Sequence, residues 1–487
     1  MGEHIQVRSC RSHCGGSIRK LSAISGLFRG DRRYEKDMRK QQERVIIIGA
    51  GASGMMAACA AASHGVPVLL LEKNEKAGKK IYITGKGRCN FTNLCETEDF
   101  FANVPRNASF LYSSVYGFDP HAVREWFEER GVRTKEERGA RAFPVSDHAS
   151  DITRCLEREM RRLGVQVRFL TEVKDLLFAD PGRLADLARW KDFVPPLPGR
   201  IRGVRLSDGK TLCADYVIVA TGGLSYPSTG STGDGYRFAR MAGHEVSRLT
   251  PSLVPFQTKE EDLIRMQGLS LKNVTFTVTN GKRRLFHEMG ELMFTHFGVT
   301  GPLILRASAL LQDQIAKGEL NACIDLKPAL SEEKLEERIL REFDANRNRS
   351  VHNAVRGLYP SKMIPVILQR SALDPDIPVH DVTAFLRKGL IRTTKQFALT
   401  LTSLRGFGEA VITRGGINVR QIDPGTMESK LVEGLYFTGE VLDVDGFTGG
   451  FNLQIAWSTG WAAGESAGKR LETSRLTGIP TDNMRPV

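Results

Sequence analysis

Residues 44–58 read RVIIIGAGASGMMAA, an apolar strand that runs into Gly49, Gly51 and Gly54 and then into an alanine-rich helix. The first two glycines allow a tight turn and let the backbone approach a pyrophosphate at the positive N-terminal end of the helix, and the third lets helix and strand pack closely. The stretch therefore predicts a dinucleotide-binding βαβ unit. The alternative is an ordinary strand-to-helix turn.

An acidic residue at the expected spacing supports the first interpretation. The strand PVLLLE ends at Glu72, eighteen residues after Gly54. A carboxylate at this place can accept hydrogen bonds from an adenosine ribose, and it would repel a 2′-phosphate.

The formal charge of the 487-residue chain is +13, and it is unevenly spread. Residues 1–44 hold eleven Lys or Arg against five acids, which leaves a mildly basic remainder. We expect residues 1–43 to be a disordered basic leader, with a transit peptide or a true start at Met38 as alternatives. Because the remainder is only mildly basic, we expect no nucleic acid partner.

Other sequence features limit the class of protein to which the chain can belong. No stretch approaches the roughly 18 continuous apolar residues that span a bilayer, so no membrane span is expected. The eight cysteines form no CxxC pair. Reduced thiols in the cytoplasm fit this pattern best, and no metal site is expected.

The pattern along the chain predicts an α/β fold in which a Rossmann-like domain is built from both chain ends. Residues 44–245 and 409–470 carry the dinucleotide-fold signals. Residues 246–408 form an insert, β-rich over 246–330 with a hairpin turn at Asn280-Gly281 and helical over 331–395. The segment 166–178 alternates as one strand, and residues 180–200 form a Pro- and Gly-bearing excursion.

Three glycine-bearing segments, 49–54, 221–235 and 439–452, are expected to converge on one elongated ligand. The strand and loop VIVATGG (217–223) is typical of FAD-dependent oxidoreductases. In LYFTGE, Glu440 follows a strand, where an acid can hydrogen-bond a ribityl hydroxyl. Gly449 and Gly450 open a helix whose dipole can stabilise negative charge on a reduced flavin.

Four longer runs, KIYITGKGRCNFTN, ATGGLSYPSTGSTGDGY, GELMFTHFGVTGP and FTGEVLDVDGFTGGFNLQIAWSTG, resemble the BaiN/YhiN-like flavoprotein family. The resemblance covers about residues 44–470, without the 180–200 excursion. It implies FAD, a Rossmann-type FAD domain from both chain ends, and an insert with a β-barrel-like part and a helical part. The family includes a bile-acid-inducible member that reduces a conjugated double bond in 3-oxo steroids, and other members are described as amine oxidases.

The resemblance also implies cofactor-binding positions, which group by the part of FAD they would hold. Gly49, Gly51, Ala52, Ser53 and Gly54 would hold the pyrophosphate, and Glu72 with Lys73 the adenosine. Lys79, Arg88, Cys89 and Asn90 would lie near the pyrophosphate and flavin, and the backbone of Val173 would meet adenine. Gly222, Gly223, Glu440, Gly450, Phe451 and Asn452 would complete the flavin contacts. The chain departs from the family's triple glycine at Lys86, which puts a backbone contact there in doubt.

Reduction of an enone needs a hydride at the β-carbon, a proton donor at the α-carbon and polarisation of the carbonyl. Tyr226 and His296 are the catalytic candidates. A packing role for His296 between Phe294 and Phe297 is favoured over catalysis, and for Tyr226 the two roles are balanced. Phe294, Phe297 and Phe447 could line a pocket for a hydrophobic substrate.

The motifs and the resemblance together predict an FAD-dependent oxidoreductase acting on CH–CH groups. Its substrate would be a 3-oxo-4,6-diene steroid, a 3-dehydro-bile acid in bile acid 7-dehydroxylation, and NAD(P)H would supply the electrons. No second GxGxxG follows a strand, so a separate nicotinamide domain is not expected. Two alternatives stay open: an FAD-dependent amine oxidase that uses oxygen, and a non-enzymatic protein that binds FAD and RNA.

Overall fold

The computed structural model describes residues 44–179 and 199–478. The predicted leader and most of the 180–200 excursion lie outside these ranges. Within them, the strands are β1 (Val45–Ile48), β2 (Val68–Leu71), β3 (Thr92–Asn93), β4 (Thr134–Glu137), β5 (Arg141–Pro144), β6 (Gln166–Arg168), β7 (Val173–Phe178), β8 (Ile201–Leu206), β9 (Thr211–Cys213), β10 (Tyr216–Val219), β11 (Thr250–Ser252), β12 (Phe256–Thr258), β13 (Ser270–Asn280), β14 (Arg283–Phe294), β15 (Gly298–Thr300), β16 (Leu320–Asp325), β17 (Phe397–Leu404), β18 (Ile412–Arg414) and β19 (Leu435–Phe437).

Helices connect and cover these strands. In the same ranges they are α1 (Ala52–Ser63), α2 (Thr97–Ala102), α3 (Tyr112–Gly117), α4 (Pro120–Glu129), α5 (Ala149–Arg162), α6 (Asp234–Met241), α7 (Pro302–Ile315), α8 (Glu332–Ala345), α9 (Val351–Ala354), α10 (Ile364–Arg370), α11 (Ala384–Lys395) and α12 (Phe451–Thr477). None of the helices in the described ranges is long and apolar enough to cross a membrane.

The Rossmann-like domain is built around a five-stranded parallel sheet in the order β19-β10-β1-β2-β6. The residues of β1, β2 and β10 are buried, so these strands read as uninterrupted apolar runs. Because β19, near the C-terminal end, pairs with β10, both ends of the chain contribute to one sheet. This confirms the predicted fold class.

The insert contains a closed six-stranded barrel in the order β12-β15-β14-β13-β16-β17. Strands β13 and β14 form a long hairpin around Asn280-Gly281, the predicted turn. Helices α8 to α11 lie between β16 and β17, so the helical part is an excursion from the barrel, and β17 returns to close it. The predicted domain bounds at residues 246 and 408 stay predictions.

The sequence prediction of one strand over 166–178 is wrong. Strand β6 belongs to the parallel sheet, whereas β7 pairs with β8 in a separate antiparallel sheet. Between them Leu170 takes a left-handed φ of 51°, which breaks the extended chain. The alternation of apolar residues continues across this break and therefore conceals it.

Helices α1 and α12 approach each other through glycines spaced four apart. A Cβ on Gly460 would lie 2.4 Å from the Ser53 carbonyl oxygen, and one on Gly464 would lie 2.4 Å from that of Ala57. Gly468 meets the Ala61 carbonyl oxygen in the same way, at 2.8 Å. The C-terminal helix is thereby fixed against the first βαβ unit, backbone against backbone.

This contact predicts that Gly464→Ala destabilises the protein by at least about 2 kcal/mol, because the added methyl group overpacks a backbone contact that cannot yield locally. Thermal unfolding measures the loss. Gly117→Ala is the matched control, since a Cβ on Gly117 would have no heavy atom within 4 Å. Equal melting temperatures for the two variants would contradict the packing described here.

Candidate functional site

An open cleft lies where β1, β2 and β10 end. Ligands of parallel α/β sheets bind at this carboxyl edge. The cleft brings together residues from all three glycine-bearing segments. The predicted site residues that line it are Gly49, Gly51, Ala52, Ser53, Glu72, Lys73, Lys79, Val173, Gly222, Glu440 and Asn452.

Three of the predicted glycines allow close packing beside the cleft. A Cβ on Gly54 would lie 1.9 Å from the Gly49 carbonyl oxygen, and one on Gly450 would lie 2.4 Å from that of Thr92. A Cβ on Gly223 would lie 2.7 Å from Oε1 of Glu440. These glycines therefore shape the walls and are not among the residues that line the cleft.

The predicted residues Arg88, Cys89, Asn90 and Phe451 also lie outside the cleft lining. Arg88 forms ion pairs with Glu137 and Asp147. Burial raises the pKa of the Cys89 thiol to about 12, which keeps it protonated. The ring of Phe451 packs against Phe100, with centroids 5.6 Å apart. Asn90 has a buried Oδ1 with no hydrogen-bond partner among the described residues.

The cleft fits a dinucleotide at the N-terminus of α1. Gly51 has a φ of −81°, and a Cβ there would meet nothing within 4 Å, so its backbone faces open space. Helix α1 has neither a side-chain cap nor an acidic residue in its first turn, and the same is true of α12. The N–H groups and dipoles of both helix ends are therefore available to an anionic ligand.

Glu72 also organises the first glycine turn. Its Oε2 accepts a hydrogen bond from the Ala50 backbone N–H at 2.8 Å. Its Oε1 accepts from the backbone and side-chain nitrogens of Asn74, at 2.8 and 2.7 Å. The carboxylate is thus fixed at the cleft, with lone pairs left for a ribose hydroxyl. Lys73 beside it forms an ion pair with Asp234 at 2.7 Å.

Glu440 lies on a short 3₁₀ turn after β19 and is tightly bonded. Its Oε1 accepts hydrogen bonds from the Ser225 hydroxyl at 2.5 Å and the Thr413 backbone N–H at 2.9 Å, and its Oε2 lies 2.5 Å from Nζ of Lys80. Sequence reasoning missed Lys80 and Thr413. Lys80 could have been found, because it directly follows the predicted site residue Lys79. Thr413 could not, because it reaches the site only through tertiary packing.

A second cavity is lined mostly by residues of the insert. Tyr226 and His296 both line it, together with Phe294 and Phe297. Val411 lines both this cavity and the cleft, so the two spaces share a wall. Phe447 is not part of the lining and instead packs with Leu253, Ala309 and Ile412. The remaining lining residues are Pro255, Gln267, Gly268, Met293, Thr295, Thr300, Leu305 and Glu409.

Tyr226, which lines the second cavity, holds a strained backbone conformation. Its φ is 50°, in the left-handed region that bulky residues avoid, and it precedes Pro227. Its N–H donates to the Phe407 carbonyl oxygen at 3.1 Å, which ties the segment to the loop after β17. Strain of this kind concentrates at functional sites, where the surrounding structure maintains it.

Comparison with known proteins agrees with this architecture. Residues 43–466 match the family described as HI0933-like protein Rossmann domain. The chain belongs to this family. It is the BaiN/YhiN-like flavoprotein family that the sequence motifs resemble, and FAD is the cofactor that membership supports.

Two relatives that align over most of this chain carry different names. The chain is 34% identical to a 3-dehydro-bile acid delta(4,6)-reductase of Clostridium scindens, over 88% of this chain and 99% of that one. It is 30% identical to a ribosomal RNA dihydrouridine synthase of Escherichia coli, over 86% of this chain and 96% of that one. Among solved structures, a 3-ketosteroid delta1-dehydrogenase of Sterolibacterium denitrificans aligns with a TM-score of 0.45 and 14% identity, over 87% of this chain and 99% of that one.

The open space at Gly51 predicts that Gly51→Val removes FAD without unfolding the protein, because the new side chain occupies the space of the ligand. We expect the flavin-to-protein ratio after purification to fall at least tenfold while the melting temperature of the apoprotein is unchanged. Gly54→Val is the contrasting variant, expected to lower the apoprotein melting temperature as well. Undiminished flavin in Gly51→Val would exclude this cleft as the FAD site.

Proposed function

We propose that the protein is an FAD-dependent reductase of a carbon–carbon double bond conjugated with a carbonyl group. The observation that carries this proposal is the shared wall at Val411, which joins a dinucleotide cleft to a second cavity lined by a tyrosine and a histidine. A reductase of this kind needs both spaces side by side, one for the cofactor and one for the substrate.

FAD held in the cleft, once reduced, would supply the hydride that adds to the β-carbon of the substrate. The protein must then polarise the carbonyl group and deliver one proton to the α-carbon, so that two electrons and two protons in all reduce one double bond. We propose that Tyr226 and His296, which both line the second cavity, fill these roles. Tyr226 directly follows Ser225, which bonds the cleft residue Glu440, and His296 lies in the loop after β14.

The first candidate substrate is a 3-oxo-4,6-diene steroid such as a 3-dehydro-bile acid, with NAD(P)H as electron donor. The relative with 34% identity supports it by name. Much of the second cavity is apolar: Met293, Phe294, Phe297, Leu305 and Val411 offer the contacts that a steroid ring system buries.

A second candidate is a uridine in ribosomal RNA, and the charge distribution favours it. Residues 246–408 hold 23 Lys or Arg against 17 acids, whereas residues 44–245 and 409–487 together hold 36 against 34. The positive charge of the body is thus concentrated in the insert that contributes most of the second cavity. The double bond of uracil is also conjugated with a carbonyl group, so the same reaction applies.

The first test is anaerobic. The FAD-loaded protein is reduced with NADH or NADPH, and a 3-oxo-4,6-diene steroid or ribosomal RNA transcribed in vitro is added in separate arms. We expect oxidised-flavin absorbance to return in one arm, with stoichiometric loss of the dienone or appearance of dihydrouridine. Reoxidation in neither arm until air is admitted, with formation of peroxide, would favour the amine oxidase alternative.

The proposed proton donor predicts a defined loss of rate. At least one of Tyr226→Phe and His296→Gln should lower kcat about 100-fold, in the range measured for general acids, with FAD retention unchanged. His287→Gln is the matched control, because His287 is exposed on β14 outside the cavity lining and bonds Thr277 at 2.9 Å. Full activity in both test variants would exclude both residues as the donor.

A further inference from the structure

Lys80 and Glu440 form a close ion pair inside the cleft. The lysine Nζ lies 2.5 Å from Oε2 of the glutamate, and both residues line the cleft wall. The Glu440 side chain is 11% exposed and that of Lys80 is 24% exposed. Solvent screening of this pair is therefore weaker than for an ion pair on the open surface.

Further hydrogen bonds fix the pair in place. The Ser225 hydroxyl contacts both Lys80 and Glu440. The Thr413 N–H donates to Glu440, and its hydroxyl oxygen accepts from the N–H groups of Leu224 and Ser225. Four separate segments of the chain thus meet at one carboxylate, which gives Glu440 a single orientation.

The pair lies toward the end of the cleft that adjoins the second cavity. Thr413, which holds Glu440, follows Val411 and Ile412 in the chain, and Ser225 directly precedes Tyr226. Glu72 and Val173, which are expected to meet the adenosine, also line the cleft. A hydride can reach a substrate only across a short gap, so the redox-active part of the cofactor belongs at the Lys80 end.

We propose that Lys80 is a positioning residue which neutralises and orients Glu440 and thereby keeps the reduction potential of bound FAD high. This inference rests on FAD binding in the cleft, as in the proposed function. Two-electron reduction makes a flavin more negative. An unpaired carboxylate beside the flavin would repel the added negative charge and so disfavour reduction. The ammonium of Lys80 cancels this repulsion.

Lys210 provides a comparison away from the cleft. Its Nζ lies 2.9 Å from Oδ2 of Asp208, and the two side chains are 77% and 49% exposed, so water screens that pair strongly. Neither residue lines the cleft. Lys210→Met is therefore the matched variant for loss of one positive charge outside the cofactor site.

The test is the midpoint potential of the FAD-loaded protein without substrate, measured anaerobically by equilibration with a reference dye. Lys80→Met should lower the equilibrium constant for two-electron reduction at least tenfold, about 30 mV. Glu440→Gln should raise it, and the double variant Lys80→Met/Glu440→Gln should return to within threefold of the wild-type value. Lys80→Arg and Lys210→Met should each change it less than threefold.

A wild-type potential in Lys80→Met would overturn the proposal, and so would a double variant as low as Lys80→Met alone. If Lys80→Met does not retain FAD, Glu440→Gln and Lys80→Arg decide: an unchanged potential in the former or a tenfold fall in the latter would also overturn it. Because no substrate is present, these outcomes are independent of whether an enone is reduced.

Discussion

The close approach of α1 and α12 is the constraint on which the rest of the structure depends. Carbonyl oxygens at Ser53, Ala57 and Ala61 occupy the space that side chains at Gly460, Gly464 and Gly468 would fill. This contact holds the C-terminal helix on the first βαβ unit, although some 400 residues separate them in the chain. The N-termini of both helices therefore open beside one cleft, and β19 can pair with β10 in one sheet.

The fold was largely predictable because its decisive signals are local. The turn at Gly49–Gly54, the apolar strands β1, β2 and β10, and the Asn280-Gly281 hairpin each lie within a short window of sequence. The break between β6 and β7 was missed, because left-handed geometry at Leu170 leaves no mark on the alternation of apolar residues. Closure of the barrel by β17 was equally hidden, since its partners β12 and β16 lie far back in the chain.

The site was predictable in part, for the same reason. Backbone approach at Gly51 follows from the motif itself, and the structure places Gly51 in the open cleft. Arg88 was assigned through a neighbouring motif, yet ion pairs with Glu137 and Asp147 hold its guanidinium away from the cleft lining. The network around Glu440 combines four segments, and no single window of sequence contains it.

The candidate site has two parts, the cleft and the adjoining second cavity, and the chain builds them in different ways. The cleft depends on close approaches that glycine allows: a Cβ on Gly49 or Gly54 would collide with backbone atoms, and one on Gly223 would collide with the side chains of Thr413 and Glu440. The second cavity is lined mainly by residues of the insert, together with Tyr226, Glu409 and Val411, and none of these residues belongs to a strand of the parallel sheet. A steroid enone and a uracil ring demand the same hydride and proton chemistry but differ in size, polarity and charge. Under the proposed function, one cofactor cleft would serve either substrate class, and the residues that distinguish the substrates would be those that line the second cavity, most of which belong to the insert.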